Sequence, residues 1–356
     1  MSPRIEIAGR AIEAGAPMRV IAEIGINHDG RADLAHQLVD ACADAGVWAI
    51  KLQAFDASTL LTAAAPAPAH VRAASLREFF AHFELPADAY ASLVARARQR
   101  GLAVIVTAFD AQMVSLFDGL GVDAFKIASG DLTHAALIVR AAQTGRPVIL
   151  STGMATAHEV AAAVGWASGA GARTLALLHC VSAYPTPDDQ QNLRAVPTLA
   201  RDHGLPVGLS DHGMGADAAL IAFAQGATLY ERHVHLAGTG AIDAAVSSTP
   251  TELADLVMRL DRAHRAMGDG RREPQPAERP NILPSRRGLY ARRAIAAGAR
   301  LDADDIVALR PATGLGAEHL HRLIGAAARR DIAAGESFGF DDLGIVGDGG
   351  AADGAA

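Results

Sequence analysis

The chain has 356 residues, with 32 basic and 39 acidic side chains, a formal charge of −7, and half of its residues apolar. Its length favours two domains or one large barrel with an appendage, and its apolar content excludes disorder of the whole chain. No apolar run approaches the roughly 18 residues of a membrane span, and the first residues lack a signal-peptide core. The acidic balance argues against nucleic acid as the main partner. The chain has only two cysteines, too few for a disulfide framework, which favours a cytoplasmic location.

Eight apolar, strand-like runs alternate with helical patterns between residues 20 and 268. The runs cover residues 20–26, 49–53, 103–109, 124–129, 147–152, 175–180, 207–212 and 229–234. Eight such units in about 250 residues predict an α/β fold of the (β/α)8 TIM-barrel type, because parallel strands buried on both faces are almost continuously apolar. A doubly wound open sheet is the alternative, but no G-x-G-x-x-G motif follows the first run.

The remainder of the chain has a different composition. Residues 269–285 are rich in Pro, Gly and charge, which predicts a linker after a catalytic domain at 1–268. Beyond it, the string RRAIAAG at 292–298 returns as RRDIAAG at 329–335, and an acidic pair follows each copy. This repeat predicts a small, mostly β domain at 286–346. Residues 347–356 contain only Gly, Ala and Asp and are expected to be disordered.

Polar residues terminate the eight runs, at the end of a TIM barrel where active sites are found. The only two lysines of the chain, Lys51 and Lys126, are among them. The hydroxyl-bearing candidates are Thr107, Ser129, Ser151 and Ser210. Two ammonium groups with such hydroxyls would hold a dianion such as phosphate. A Schiff-base lysine is the competing functional interpretation, and lysines that merely extend to solvent are the non-functional one.

Two histidines and a glutamate complete the candidate set. His212 and His233 end adjacent runs, so their imidazoles could meet on one divalent metal or could simply be hydrogen-bonded. Oxygen-rich surroundings favour Mn2+ or Mg2+ over a closed zinc site. Glu23 lies inside an apolar run, where an unpaired carboxylate is costly. It is expected either to pair with a lysine or to bind a sugar hydroxyl and assist proton transfer.

Seven strings resemble those of the sialic acid synthase family, which makes nonulosonic acids from phosphoenolpyruvate and a hexosamine. They are IAEIGINHDG at 21–30, KLQ at 51–53, KIASGD at 126–131, ILSTGM at 149–154, HCVSAYPTP at 179–187, GLSDH at 208–212 and ERH at 231–233. The similarity runs in order over residues 18–346. The part beyond the linker resembles that family's C-terminal antifreeze-like (SAF) domain.

The resemblance implies a transferase that joins phosphoenolpyruvate to an N-acylated hexosamine such as N-acetylmannosamine and releases phosphate. It implies that His212 and His233 bind a divalent cation, Mn2+ first, with Mg2+ or Co2+ as alternatives. It also implies a homodimer in which each SAF domain covers the partner's barrel and directs Arg310 toward the sugar's N-acyl group.

The resemblance also assigns roles to individual residues. Around phosphoenolpyruvate it places Lys51, Thr107, Lys126, Ser129, Ser151, Ser182, Tyr184 and Ser210. Facing the sugar it places Glu23, Gln53, Asp243 and Arg310. As catalytic residues it indicates Glu23, Lys51, Lys126 and Asp131.

The chain departs from the family at two places. Asp131 stands where the family often has Glu, which shortens a carboxylate that could orient the attacking water. The loop before Asp243, which contacts the sugar in the family, is one residue shorter, so the acceptor sugar stays open. A synthase for legionaminic or pseudaminic acid, another acceptor aldehyde, a Schiff-base pyruvate aldolase and a non-enzymatic binding protein are the alternatives.

Overall fold

The computed structural model describes residues 4–66 and 75–343, so the predicted disordered tail at 347–356 lies outside the described residues. The chain divides into two compact units, with the boundary between Gly268 and Asp269. In the described ranges, no helix is both long enough and apolar enough to cross a membrane.

The first unit begins with an antiparallel β-hairpin that the sequence reasoning did not predict. Its strands are β1 (Arg4–Ile7) and β2 (Arg10–Glu13). Ile7 and Ile12 are each 1% exposed, and they pack in one apolar cluster with side chains such as Ile21, Ile105 and Leu229. These partners lie in the N-terminal halves of barrel strands, so the hairpin closes that end of the barrel.

Eight parallel strands form the barrel itself. They are β3 (Arg19–Gly25), β4 (Ala49–Ala54), β5 (Ala103–Ala108), β6 (Ala124–Ile127), β7 (Val148–Ser151), β8 (Leu175–Cys180), β9 (Val207–Asp211) and β10 (Leu229–Val234). Each strand pairs with the next, and β10 pairs with both β9 and β3, which closes the circle. A short strand, β11 (Ser247–Ser248), adds to β10. The predicted TIM barrel is confirmed, and each predicted strand end lies within two residues of the observed one.

Helices follow the barrel strands along the chain, and the longer ones bury apolar side chains against the barrel. They are α1 (Ala32–Asp44), α2 (Ala57–Leu60), α3 (Leu76–Ala81), α4 (Ala87–Gln99), α5 (Ala111–Leu120), α6 (Ala135–Ala142), α7 (Ala157–Gly169), α8 (Ala195–His203), α9 (Asp217–Ala224) and α10 (Pro250–Met267). Capping boxes start two of them, because Thr156 and Thr249 each exchange hydrogen bonds with a glutamate three residues later. The helices thus begin at positions that their own sequence defines.

The second unit is small and built around the internal repeat. Its elements are α11 (Arg279–Ser285), β12 (Gly288–Ala291), β13 (Ile306–Leu309) and α12 (Leu320–Leu323), with β12 antiparallel to β13. The two copies of the repeat pair with each other, because Ile295 and Ile332 exchange backbone hydrogen bonds of 2.8 and 2.9 Å. The segment predicted as a linker contains α11, so it is not wholly irregular.

Candidate active site

The polar side chains predicted at the strand ends line the interior of the barrel. Side chains alternate along a strand, so residues two apart share the inner face. The inner-face polar residues are Glu23, Lys51, Thr107, Lys126, Ser151, Ser210, His212, Glu231 and His233. None of them is more than 7% exposed. So many polar groups in a closed interior need partners or a ligand.

Glu231 is the centre of this group. Its Oε1 accepts from Lys126 Nζ at 2.5 Å and from Ser210 Oγ at 2.9 Å, and it lies 2.9 Å from Lys51 Nζ. Lys51 Nζ also lies 2.5 Å from Glu23 Oε2. Because β4 and β6 are not neighbours of β10, these contacts cross the barrel interior. The two lysines and two glutamates therefore form one charge-balanced cluster.

The charges of this cluster depend on one another. Burial favours the neutral acid, yet the two ammonium groups hold the pKa of Glu231 well below its usual range. Burial lowers the pKa of Lys51, with Lys126 adding to that effect and Glu231 opposing it. Burial also opposes the charge of Lys126, but the Glu231 carboxylate outweighs it and raises the pKa of Lys126. Glu231 is therefore the group that keeps ammonium charge inside the barrel.

Several buried oxygens of the interior lack a partner among the described residues. Thr107 Oγ1, Glu23 Oε1 and Glu231 Oε2 accept or donate no hydrogen bond, and neither carboxylate oxygen has an ion-pair contact. Buried polar atoms are nearly always satisfied in folded proteins. Their position beside the two lysines indicates a place for a polar ligand.

A group of serine hydroxyls lies at the ends of β6 and β7. Ser129 Oγ donates to Ser151 Oγ at 3.0 Å and accepts from the Gly153 N–H at 3.1 Å. A Cβ on Gly153 would come within 2.7 Å of Ser129 Oγ and closer still to Ser182 Oγ. The glycine therefore lets its backbone N–H and three serine hydroxyls converge.

His212 and His233 lie side by side, with their ring centroids 5.4 Å apart. His212 Nδ1 is 3.2 Å from the carbonyl oxygen of Val181, which leaves Nε2 available. His233 Nδ1 is 3.3 Å from Asp243 Oδ2, and burial lowers the pKa of His233, which favours the neutral ring. The Tyr184 ring lies 4.1 Å from that of His212.

These histidines fit a divalent cation. Adjacent neutral imidazoles are a ligand type that divalent cations accept, and the nearest carboxylate oxygen lies 3.3 Å from His233 Nδ1. The described residues contain no group of three His, Cys, Asp or Glu side chains placed to hold a metal ion. A cation here would therefore keep open positions for substrate or water oxygens, as in catalytic rather than structural sites.

The other predicted residues occupy varied surroundings. Asp131 is half-buried in the turn after β6, and burial raises the pKa of its carboxyl group. Gln53 is half-buried at the end of β4. Asp243 is fixed beside His233 by its backbone N–H, which donates to an Asn27 oxygen at 3.1 Å. Arg310 is an exposed residue of the second unit.

The sequence reasoning overlooked two residues of the barrel interior. Glu231 was noted at a strand end without a role, although the argument applied to Glu23, a carboxylate inside an apolar strand, also applies to it. Cys180 Sγ lies 3.8 Å from His212 Nδ1 and 3.9 Å from Ser182 Oγ. Although burial acts against it, the contact with His212 lowers the pKa of the Cys180 thiol to about 6.

Known proteins are similar to this chain in sequence and in fold. A family model described as NeuB family matches residues 38–272, and a SAF domain model matches residues 286–344. The chain belongs to the NeuB family. This member is 33% identical to an N,N'-diacetyllegionaminic acid synthase of Campylobacter jejuni, over 89% of this chain and 97% of the relative. It is 31% identical to the Legionella pneumophila enzyme of the same name, over 89% and 92%.

The NeuB-family fold is also found in solved structures. The crystal structure of an N-acetylneuraminic acid synthetase from Leptospira borgpetersenii, in complex with citrate, matches with a TM-score of 0.72 and 34% identity. The match covers 79% of this chain and 96% of that one. The resemblance to sialic acid synthases is therefore confirmed, and this NeuB-family protein is an enzyme.

Proposed function

We propose that this enzyme condenses phosphoenolpyruvate with an N-acylated hexosamine to give a nonulosonic acid and inorganic phosphate. The observation that carries the proposal is the buried cluster of Lys51, Lys126, Glu23 and Glu231 beside a pair of histidines. The relatives act as synthases of such acids by name, at about one-third identity. The acceptor is N-acetylmannosamine, its 6-phosphate or a di-N-acetylated 6-deoxyhexose.

Phosphate binding follows from a count of hydrogen-bond donors. Each lysine ammonium carries three N–H donors. Lys126 uses one on Glu231, and Lys51 uses two, on Glu23 and Glu231. The donors that remain, with the unpartnered hydroxyl of Thr107, face the same interior and would bind the phosphate of phosphoenolpyruvate. The proposed phosphate site further includes Ser129, Ser151, Ser182, Tyr184 and Ser210.

The sugar would lie nearer the mouth, against Glu23, Gln53 and Asp243. A divalent cation held by His212 and His233, Mn2+ with Mg2+ or Co2+ as alternatives, would supply Lewis-acid polarisation of the sugar aldehyde. The free Oε1 of Glu23 is available to accept a hydrogen bond from a sugar hydroxyl. Holding both substrates in one enclosed cavity contributes a large part of the rate.

The reaction balances with these groups. The C2–C3 electron pair of phosphoenolpyruvate forms the new bond to the aldehyde carbon, whose oxygen takes up a proton. Water then adds to the electron-poor C2 and loses a proton, for which Asp131, with its raised pKa, is the proposed acceptor. The bond between C2 and the phosphate oxygen then breaks, phosphate leaves with the bonding electrons and takes up the proton of the new C2 hydroxyl, and C2 becomes the keto group. Lys51 and Lys126 stabilise the departing phosphate.

We further propose a cytoplasmic homodimer in which the SAF unit of one copy covers the barrel of the other and brings Arg310 to the N-acyl group. The exposed position of Arg310 in a separate unit is compatible with a contact of this kind. Analytical ultracentrifugation tests the dimer, and a monomer at assay concentrations would contradict it.

The central test follows phosphate release and product mass with a panel of acceptors. Release should require phosphoenolpyruvate, an acceptor and a divalent cation, and the product should have the mass of the condensed keto acid. His212→Ala should abolish release, whereas His36→Ala, on helix α1 at the outside of the barrel, should leave it unchanged. Full activity after exhaustive chelation would refute the metal role, and release without acceptor would refute the condensation.

The alternative of a Schiff-base aldolase has one supporting observation, the lowered pKa of Lys51. Its ammonium group is, however, paired with two carboxylates, which hinders attack on a carbonyl carbon. Borohydride treatment in the presence of pyruvate distinguishes the two functions. A covalent adduct on Lys51 would favour the aldolase.

A further inference from the structure

We propose that Arg232 and Asp211 are positioning residues that hold His212 in place from outside the barrel. The inference rests on the proposed function, in which His212 binds the cation. Both residues belong to the strings that resemble the synthase family, yet neither faces the barrel interior. Each is 4% exposed.

Strand alternation places these two side chains behind the histidines. Asp211 is the last residue of β9 and precedes His212, and Arg232 precedes His233 on β10, so both point into the layer between barrel and helices. Tyr230, two residues before Arg232, lies in the same layer with no exposure. Substrates inside the barrel therefore cannot touch any of the three, and a direct catalytic role is excluded.

The three residues fix the backbone on both sides of His212. Arg232 Nη1 donates to the Gly213 carbonyl oxygen at 2.6 Å and lies 3.5 Å from Asp211 Oδ2. Asp211 Oδ1 accepts from the Gly213 N–H at 2.7 Å, and its Oδ2 accepts from Tyr230 OH at 2.7 Å. Both backbone polar groups of Gly213 are thus held by buried charges. His212 lies between two residues that cannot move independently.

Two further contacts tighten the same turn. The His212 carbonyl oxygen accepts from the Thr186 N–H at 2.9 Å. A Cβ on Gly213 would lie 2.5 Å from Gln191 Nε2 and 3.1 Å from Asp211 Oδ1, so a side chain there would displace Gln191 and press on Asp211. The ring of His212 also contacts the Val181 carbonyl oxygen at 3.2 Å, Cys180 Sγ at 3.8 Å and the Tyr184 ring at a centroid distance of 4.1 Å. These contacts adjust the ring, while the held backbone sets the point from which it projects.

A buried ion pair alone adds little to stability compared with apolar residues of similar size. The pair has a role here if it sets the geometry of a ligand, because metal ligands need their supporting contacts for affinity. The outer network is then a support for the cation site rather than a part of the general core.

The test measures Mn2+ binding to metal-free protein by isothermal titration calorimetry, with no substrate present. The variants are Arg232→Met, which removes the guanidinium contacts with Gly213 and Asp211, and Tyr230→Phe, which removes the hydrogen bond to Asp211. The matched control is Arg146→Met. Arg146 also ion-pairs with an aspartate, Asp118 at 2.7 Å, and donates to two backbone carbonyls, but at the opposite end of the barrel. Circular dichroism without metal establishes that each variant is folded.

We expect the dissociation constant for Mn2+ to rise about 10- to 100-fold in Arg232→Met and less in Tyr230→Phe. It should stay within twofold in Arg146→Met. If the wild type binds Mn2+ and the dissociation constant is unchanged in both Arg232→Met and Tyr230→Phe, the inference is overturned and the proposed function stays intact. If Arg232→Met does not fold, an unchanged constant in Tyr230→Phe overturns it. A wild type that binds no Mn2+ would overturn the metal role itself, and the inference with it.

Discussion

Replacing Glu231 by glutamine removes one negative charge from the centre of the barrel and keeps the shape of the side chain. Oε1 of Glu231 receives contacts from Lys51, Lys126 and Ser210 at 2.5 to 2.9 Å. The glutamine oxygen can still accept, but the ammonium groups lose their common counter-charge. Because burial already lowers the pKa of Lys51, loss of the Glu231 charge should lower it further, with Glu23 at 2.5 Å as the carboxylate that remains.

The size of the effect follows from the two ammonium contacts. A hydrogen bond to a charged group contributes about 1.5–3 kcal/mol, against about 0.5–1.5 kcal/mol for a neutral one. Each ammonium group keeps a bond to a neutral amide oxygen but loses the carboxylate charge. With the difference between these two ranges as the scale for each contact, the ammonium pair is weakened by about 2–3 kcal/mol. At about 1.4 kcal/mol per factor of ten, kcat/KM for phosphoenolpyruvate should fall about 30- to 150-fold. The KM for the sugar should change by less than about threefold, since the lysines are proposed to bind phosphate.

The assay is steady-state phosphate release with each substrate varied in turn, at saturating Mn2+. Glu159→Gln, at the exposed start of helix α7, is the control for a glutamate-to-glutamine change and should leave both constants unchanged. Thermal unfolding of each variant separates loss of binding from loss of folded protein. A Glu231→Gln enzyme with kcat/KM for phosphoenolpyruvate within twofold of wild type would refute the reasoning.

Three further predictions concern other parts of the chain. Burial lowers the pKa of His28 from 6.5 to about 4, and its neutral Nδ1 accepts from the Gly30 N–H at 3.1 Å. The unfolded chain takes up this proton first, so stability should fall by up to about 3 kcal/mol as pH drops from 6.5 to 4. Denaturant unfolding of His28→Gln should lack that part of the slope, and parallel curves would contradict it. Ile7→Ala should lower the free energy of unfolding by about 2–5 kcal/mol, whereas Ile242→Ala, half-exposed, should change it by less than about 0.5 kcal/mol. Arg310→Ala should raise the KM for the sugar and not that for phosphoenolpyruvate, and equal increases would contradict the proposed role.

The barrel could be predicted from sequence because its signal is physical and repeated. Strands buried on both faces must be apolar throughout, and glycines such as Gly46 end helices with a positive φ. The hairpin gave no such signal, since its turn uses Ala8 and Gly9, both with positive φ, in place of the usual Asn-Gly pair. Helix α11 was hidden by prolines, although Pro280 stands in its first turn, where the missing N–H costs nothing.

The site could be predicted only as a set of positions. Strand-end residues indicated that Lys51 and Lys126 face one cavity, but not that a single carboxylate oxygen would join them. That contact depends on β10 lying opposite β6 and two strands from β4 in the closed barrel, which strand order alone does not convert into a distance. The outer positions of Asp211 and Arg232 follow from strand alternation, but their shared contacts with Gly213 do not, because they depend on distances between side chains of two strands.

The hairpin that closes the N-terminal end of the barrel strands has a consequence for the order in which substrates bind. With Ile7 and Ile12 filling one end, molecules enter and leave the described barrel through the other. On the inner face of β4, Lys51 lies one position closer to the hairpin than Gln53. On the inner face of β10, Glu231 lies one position closer to it than His233. A molecule held by the lysines is therefore overlaid by whatever binds above it. Steady-state kinetics should show an ordered mechanism, in which phosphoenolpyruvate, the molecule held by the lysines, binds first and phosphate leaves last.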